Sequence, residues 1–276
     1  MQLVQADATG ENRRWTVHLE DGGSVEAVLY RGQSLCVSSQ VGCAVACPFC
    51  ASGAHGLSRP LTLEEMTGQV EAVLELGHEV TRVTVSGVGE PLHTRATPGF
   101  IEWCRSRRIA PSVTTSGGPL SRLRELIHTH HNGLTISVHA GTEATRALAV
   151  PKGPSLAPLF EVLAEEVPRL SSSRRRKIAL AFLMIEGLND GDAELDAFAA
   201  RAQPLGIWTH LYAFNEVPTS QHRGVSREVY ERAYERLRAA GLKVRMSCKA
   251  RVEPNGGCGT LIATARLVDT ARRAVR

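Results

Sequence analysis

Three cysteines stand in Gln40-Val-Gly-Cys43-Ala-Val-Ala-Cys47-Pro-Phe-Cys50, a C-x3-C-x2-C spacing that puts three thiols on one short loop. Clusters of four irons usually take four cysteine ligands. Three ligands leave one iron open, and an open coordination position is what a catalytic metal site needs. The spacing points to a 4Fe-4S cluster on Cys43, Cys47 and Cys50 whose fourth iron chelates S-adenosylmethionine. The competing reading is a structural zinc loop. Zinc needs four ligands in a closed site, usually from two C-x2-C knuckles, and His55 would then be the fourth.

Further along stand short polar motifs suited to holding such a cofactor. Ser86-Gly-Val-Gly-Glu90-Pro91 has glycines (Gly87, Gly89) that let a backbone approach a ligand, and Glu90 can accept hydrogen bonds from an ammonium group. An ordinary strand-to-helix turn is the plain alternative. Thr114-Thr-Ser-Gly117 and Ser137-Val138-His139-Ala140 are small and polar, suited to ribose or carboxylate contacts. Each is weak evidence by itself; their order behind the cysteine loop strengthens all of them.

The elements that must position these groups alternate. Residues 14 to 30 read as an antiparallel pair turning at Asp21-Gly22-Gly23. From Leu35 onward, strand candidates are 35–39, 80–86, 110–115, 133–139, 177–185 and 207–214, with helices at 62–76, 119–130, 155–168, 191–203 and 226–240. Thr62 with Glu65 forms a capping box at the first helix. Strand-helix alternation implies a parallel α/β sheet with right-handed crossovers. About six units are too few for a closed eight-unit barrel. The expected fold is therefore a partial (β/α)6 barrel with a short N-terminal β extension, divided as an extension over 1–34 and a core over 35–276. Site residues are expected at the C-terminal strand ends, where these motifs fall. The charge run Arg174-Arg-Arg-Lys177 reads as a solvated loop, with a phosphate-contacting patch as the alternative.

Composition sets the outer bounds. A chain of 276 residues with 43% hydrophobic content can bury a large core. No apolar run approaches the ~18 residues of a membrane span, and the N-terminus carries no secretory pattern. Seven cysteines, three of them clustered, read as a cytoplasmic metal or redox enzyme rather than a disulfide scaffold. A net charge of +4 permits an RNA partner without demanding one.

The ordered set Leu35-Cys36-Val-Ser-Ser-Gln-Val-Gly-Cys43, Gly87 to Pro91, Thr114 to Gly117, Ser137 to Ala140 and Phe182-Leu-Met-Ile-Glu-Gly-Leu-Asn-Asp190 strongly resembles the RlmN/Cfr family of radical SAM RNA methyltransferases. Phe49, just before the last cysteine of the loop, fits the radical SAM pattern. The resemblance runs from about Trp15 to the C-terminus, and most of an accessory domain that family members carry ahead of that point has no counterpart here.

The resemblance implies methylation of an sp2 carbon of adenine in ribosomal or transfer RNA. Such a carbon is a poor nucleophile, so one S-adenosylmethionine first methylates a cysteine. A second, cleaved to a 5'-deoxyadenosyl radical, activates that S-methyl group; two are thus used per turnover, with one 4Fe-4S cluster and a flavodoxin- or ferredoxin-type electron donor. Cys258, in Gly256-Gly-Cys-Gly-Thr-Leu, matches the methylated cysteine, Cys36 the resolving cysteine, Glu26 the proton acceptor and Asn215 a late cofactor contact. The scheme carries a disulfide with it. The chain is further expected to be a monomer and, having no long apolar run, not to engage a membrane.

The chain departs from the family at two places. The stretch before Cys258, Lys249-Ala-Arg-Val-Glu-Pro-Asn, lacks the family's aspartate and carries Pro254, and Arg59-Pro60 replaces arginine-asparagine. Cys104 and Cys248 match nothing in the family and read as buried, inert residues. Rival functions are the same chemistry on a small molecule or natural-product precursor, a radical SAM enzyme that does not methylate, and a zinc-stabilised RNA-binding module.

Overall fold

The computed structural model describes residues 2–9, 12–247 and 259–263. It folds around one ten-stranded sheet, β1 (Gln2–Thr9), β2 (Asn12–His18), β3 (Ser24–Tyr30), β4 (Ser34–Val37), β7 (Arg82–Val85), β8 (Ala110–Thr115), β9 (Gly133–Ser137), β10 (Ile178–Met184), β11 (Trp208–Ala213) and β12 (Lys243–Met246), in that spatial order. A separate pair, β5 (Gln40–Gly42) and β6 (Leu57–Pro60), brackets the cysteine loop. From β4 to β12 the main sheet is parallel, while β1 to β4 pair antiparallel.

Between the parallel strands run α1 (Leu63–Glu75), α2 (Thr97–Ser106), α3 (Leu120–His128), α4 (Glu143–Ala149), α5 (Leu156–Glu166), the short α6 (Ser172–Arg175), α7 (Asp192–Ala202) and α8 (Arg227–Ala239). Six β/α crossovers separate the seven parallel strands, as the alternation predicts. Among the described residues the sheet ends at β1 and β12 and does not close into a barrel.

The core lies between the sheet and its helices. Alternation along each strand decides which side chains enter it. Val113, Leu134, Ile136, Leu180 and Phe182 pack outward against Leu123, Leu159, Leu163 and Phe198 of the helices. A second cluster joins Trp15, Val17, Ala27, Leu29, Leu35 and Val37 to Met66, Val70 and Phe100, so β2 and β3 are welded to the same layer as α1 and α2. Each fully buried side chain of this size contributes about 1.5–3 kcal/mol. The capping box forms: Thr62 Oγ1 accepts the Glu65 N–H at 3.2 Å, and Glu65 Oε2 accepts the Thr62 N–H at 2.9 Å. No helix among the described residues is long and apolar enough to cross a membrane.

Several elements have no counterpart in the sequence reading. Helix α2 opens on Thr97-Pro98-Gly99, which reads as a turn, although proline in the first helical turn is well tolerated. Strand β12 has only four residues, one of them buried. The run Arg174 to Lys177 is not a loop. It begins in α6, and the Arg174 guanidinium donates to the carbonyls of Ile127, His128 (2.5 Å) and Thr129 (2.9 Å), capping the C-terminus of α3.

Candidate active site

At the C-terminal ends of the parallel strands the sheet opens onto a cavity of ≈ 1140 Å³, part of it open to solvent. The cysteine loop forms one wall. Gly42, at φ +83°, starts it, and a Cβ there would lie 2.0 Å from the Gly56 carbonyl oxygen, the acceptor of the Cys43 N–H at 3.0 Å. The loop closes on itself through Cys50 N–H to the Cys47 carbonyl at 3.1 Å. Cys43, Cys47 and Cys50 all line the cavity. Burial pushes the Cys43 thiol up to about 12 and Cys47 well above its ordinary value, and the neighbouring Cys50 raises both further.

Three soft thiols on one loop, two of them raised by burial and by their neighbour Cys50, fit a cationic iron–sulfur centre that supplies the missing positive charge. Among the described residues no group of three or more His, Cys, Asp or Glu side chains is arranged to hold a single metal ion. His55, the fourth ligand of the zinc reading, is exposed and lies outside the cavity lining.

Glu90 is 3% exposed and lines the cavity. Its Oε1 accepts from the Leu92 N–H at 3.1 Å and from the Thr115 hydroxyl, and its Oε2 accepts the Ser116 N–H at 2.8 Å. The two glycines ahead of it are sterically required: a Cβ on Gly87 would lie 2.7 Å from Ser38 Oγ, and one on Gly89, at φ +110°, would lie 2.6 Å from the Gln40 side chain. Thr114, Ser137, His139 and Asn215 also line the cavity. His139 is buried at φ +56°, and its Nδ1 accepts the Leu183 N–H at 3.0 Å. Burial, aided by the charge of Arg146, pushes it down to about 3, so it is neutral at physiological pH with its proton on Nε2. Its ring meets Phe49 edge-on at 5.5 Å.

Three other expected site residues lie elsewhere. Val138 alternates to the opposite face from Ser137 and packs in the core, donating its N–H to the Ala181 carbonyl. Cys36, on β4, is 3% exposed in a small cluster with Val28, Val88 and Leu261, its Sγ 3.2 Å from Ser86 Oγ. Glu26 is ion-paired to Arg14, both side chains 13% exposed. Cys258 and Cys248 lie outside the described residues; Gly259, next to Cys258, lines the cavity, and a Cβ there would lie 3.9 Å from Cys50 Sγ. Cys104 is fully buried in α2, and burial pushes its thiol up to about 12. None of Cys36, Cys43, Cys47, Cys50 and Cys104 is in a disulfide.

Two residues that sequence reasoning missed hold this end of the sheet together. Arg146, 1% exposed, donates to four carbonyls: Pro154 (2.9 Å), Ser137 (2.7 Å), Val138 (2.8 Å) and Ser116 (2.8 Å). Asn189, fully buried, ties the His139 and Leu183 carbonyls to the Ile185 N–H. Asn189 sits inside the motif that ends at Asp190, so a signal existed. Ser116 Oγ, inside the Thr114–Gly117 motif, is buried at the cavity with no hydrogen-bond partner.

Comparison with known proteins agrees with this geometry. The family model of the radical SAM superfamily matches residues 37–198, more than half of the chain. A probable RNA methyltransferase of Rhodopseudomonas palustris (strain BisB5) is 37% identical over 78% of this chain, which spans 61% of that relative's length. One from Azoarcus sp. (strain BH72) is 31% identical over 95% of this chain and 76% of its own. Dual-specificity RNA methyltransferase RlmN of Halorhodospira halophila is 29% identical over 95% of this chain and 77% of its own. Among solved structures, a radical SAM methyltransferase from Sphaerobacter thermophilus superposes with a TM-score of 0.79 at 28% identity, covering 95% of this chain and 80% of that one.

Proposed function

We propose, for a chain that belongs to the radical SAM superfamily and within it to the RlmN-type RNA methyltransferases, that it methylates an sp2 carbon of adenine in ribosomal or transfer RNA by way of a methylated Cys258. The observation that carries this reading is convergence. The three loop cysteines, Gly89, Glu90, Thr114, Ser137, His139, Asn215 and the chain neighbour of Cys258 all line one cavity. The RNA substrate is supported by the relatives, which are named as RNA methyltransferases.

Cys43, Cys47 and Cys50 would hold one 4Fe-4S cluster, and the strand-end residues would hold S-adenosylmethionine. When bound, these groups supply a methyl group and, after one-electron reduction by a flavodoxin- or ferredoxin-type donor, a carbon radical that abstracts hydrogen, using two S-adenosylmethionines per turnover. The chain's own residues do the rest. Glu90, Thr114, Ser137 and Asn215 bind and orient. His139 is a hydrogen-bond donor and not a base, because its Nδ1 is occupied by the Leu183 N–H. Val45, Phe49, Val150, Leu183 and Phe214 give the cavity apolar walls that exclude water from reactive species. Cys258 accepts and carries the methyl group, which the ring carbon is too weak a nucleophile to take directly. Cys36 frees the product from the protein, and Glu26 accepts the proton lost from the ring. An adenine inside a duplex is stacked and its edge is hard to reach, so the target lies in a loop or is flipped out.

The test is intact-mass and peptide mass spectrometry on anaerobically prepared protein, before and after incubation with S-adenosylmethionine and a reductant. One added methyl group on the Cys258 peptide, absent in Cys258→Ala, is the expected result. An unmodified Cys258 in protein that holds iron and cleaves S-adenosylmethionine overturns the mechanism.

A further inference from the structure

Residues 259–263 cross the inner face of β3 and β4 and are held there from both sides. On the cysteine-loop side, the Ala51 N–H donates to the Gly259 carbonyl at 2.8 Å and the Ser52 hydroxyl to the Leu261 carbonyl at 2.8 Å. On the sheet side, the Arg14 guanidinium donates to the Thr260 carbonyl at 3.1 Å and pairs with Glu26. Glu26 Oε2 in turn accepts the Ile262 N–H at 2.6 Å. Between these anchors Leu261, 3% exposed, packs on Cys36, Val28 and Val88.

Alternation explains why the cover falls where it does. Glu26, Val28 and Cys36 share the inner face, with Val28 directly paired to Cys36 across the strands, while Val25, Ala27 and Leu29 point into the core on the other face. Arg14 projects from β2 on that same inner face, its neighbour Trp15 being in the core. The two groups that the docked segment hides are therefore Cys36 and Glu26, the thiol and the carboxylate that the second half of the proposed reaction calls on. Neither lines the cavity while the segment is in place.

We infer that Arg14 is a positioning residue: with Glu26 it docks residues 260–262 over the inner face, so that Cys36 and Glu26 are closed to substrate until the segment that follows Cys258 moves away. The arrangement imposes an order. Docked, the segment keeps the chain beside Cys258 against Cys50, where the cavity lies, and keeps a second thiol away from it. Undocked, it uncovers both remaining groups in one movement. A substrate that binds the undocked state more tightly than the docked one shifts this equilibrium by its differential affinity. The inference rests on the proposed roles of Cys36, Cys258 and Glu26, but the cover itself is measurable without them.

The experiment is timed alkylation of the cluster-loaded, full-length protein with N-ethylmaleimide under anaerobic conditions, with each cysteine followed by peptide mass spectrometry. Cys104, fully buried in α2, serves as the internal reference for general loosening. In Arg14→Gln the Cys36 rate is expected to rise about tenfold or more, the loss of charge-assisted hydrogen bonds to the segment, while Cys104 stays as slow as before. Arg14→Lys, which can pair with Glu26, is expected to lie between. Leu261→Ala leaves the ion pair intact and thins the cover, and is also expected to raise the Cys36 rate. An unchanged Cys36 rate in Arg14→Gln, or a Cys104 rate that rises in step, overturns the inference. If Arg14→Gln fails to fold, Leu261→Ala decides alone by the same criterion. Methylation of Cys258 is scored on the same samples. Cys36 rates that follow the expected pattern with an unmethylated Cys258 leave the cover standing and remove the proposed mechanism; a methylated Cys258 with unchanged Cys36 rates does the reverse.

Discussion

Glu90 Oε2 accepts the Ser116 N–H at 2.8 Å, which ties the turn after β7 to the turn after the neighbouring β8, where both residues line the cavity. The same carboxylate accepts the Leu92 N–H and the Thr115 hydroxyl, so its negative charge is fixed in place by protein donors while one side faces the cavity. A brace of this kind is preorganised for a cationic group, because its orientation does not depend on ligand binding.

Glu90→Gln tests that double role. The amide keeps one acceptor and turns the other into a donor, so at least one of the three donors loses its partner. Destabilisation of about 1–3 kcal/mol follows, a melting-temperature fall of a few degrees for a chain of this size. Affinity for S-adenosylmethionine, measured by equilibrium dialysis, is expected to fall about tenfold or more, the loss of a charge-assisted contact to its ammonium group. A lower melting temperature with unchanged affinity would assign Glu90 to bracing alone.

Gly42→Ala is expected to abolish cluster retention. The position sits at φ +83°, and the added Cβ would have to displace the Gly56 carbonyl oxygen that receives the Cys43 N–H. The readout is iron and sulfide per chain after anaerobic reconstitution. Gly191→Ala is the control, since nothing lies within 4 Å of a Cβ there and its φ is −74°. Normal iron in Gly42→Ala would mean that the loop reaches its metal-bound shape by another path.

Stability should rise with pH between about 4 and 6.5, in part through one residue. His131 is buried, neither ring nitrogen has a hydrogen-bond partner, and burial together with Arg174 and Lys177 pushes it down to about 4. Its folded value is thus depressed, so the unfolded chain binds the extra proton in this window. Folding is penalised as pH falls from 6.5 and the penalty levels off below about 4. The full difference is on the order of 3 kcal/mol. Urea melts at pH 4.5 and 7.5 should therefore differ less in His131→Phe than in the wild type. Equal differences in the two proteins would show that His131 does not titrate in this way.

Most of the fold was readable because period-2 and period-3.6 patterns alternate cleanly from Leu35 to Ala239, and the cysteine loop because its spacing has few chemical meanings. What was not legible has physical causes. Adjacency groups Val138 with Ser137 and His139, but strand alternation sends it to the opposite face and into the core. Cys36 and Glu26 do share the inner face; what hides them is Leu261 and its neighbours, more than two hundred residues away in sequence, a contact that no local pattern encodes. Arg146 was invisible for a similar reason. Within α4 it looks like any solvent-facing arginine, and only the fold brings the carbonyls of Ser116, Ser137, Val138 and Pro154 around it.

Arg146 also yields the sharpest electrostatic test. A cation that is 1% exposed and bonded only to neutral carbonyls is costly unless negative charge lies near, and the groups that favour its charged form are Cys47, Glu90 and Glu143. Burial lowers it to about 10, so it remains charged at neutral pH. Its positive charge opposes the negative charge that three thiolates bring to the cavity wall, and it should ease addition of an electron to a cluster held there. Arg146→Gln is expected to lower the midpoint potential of the reconstituted protein, followed by electron paramagnetic resonance during a redox titration, while Arg146→Lys stays near the wild-type value. Both variants lose carbonyl contacts and should melt earlier, which separates bracing from charge. A potential that falls equally in Gln and Lys would mean that strand-end geometry, and not the charge, sets the cluster's environment.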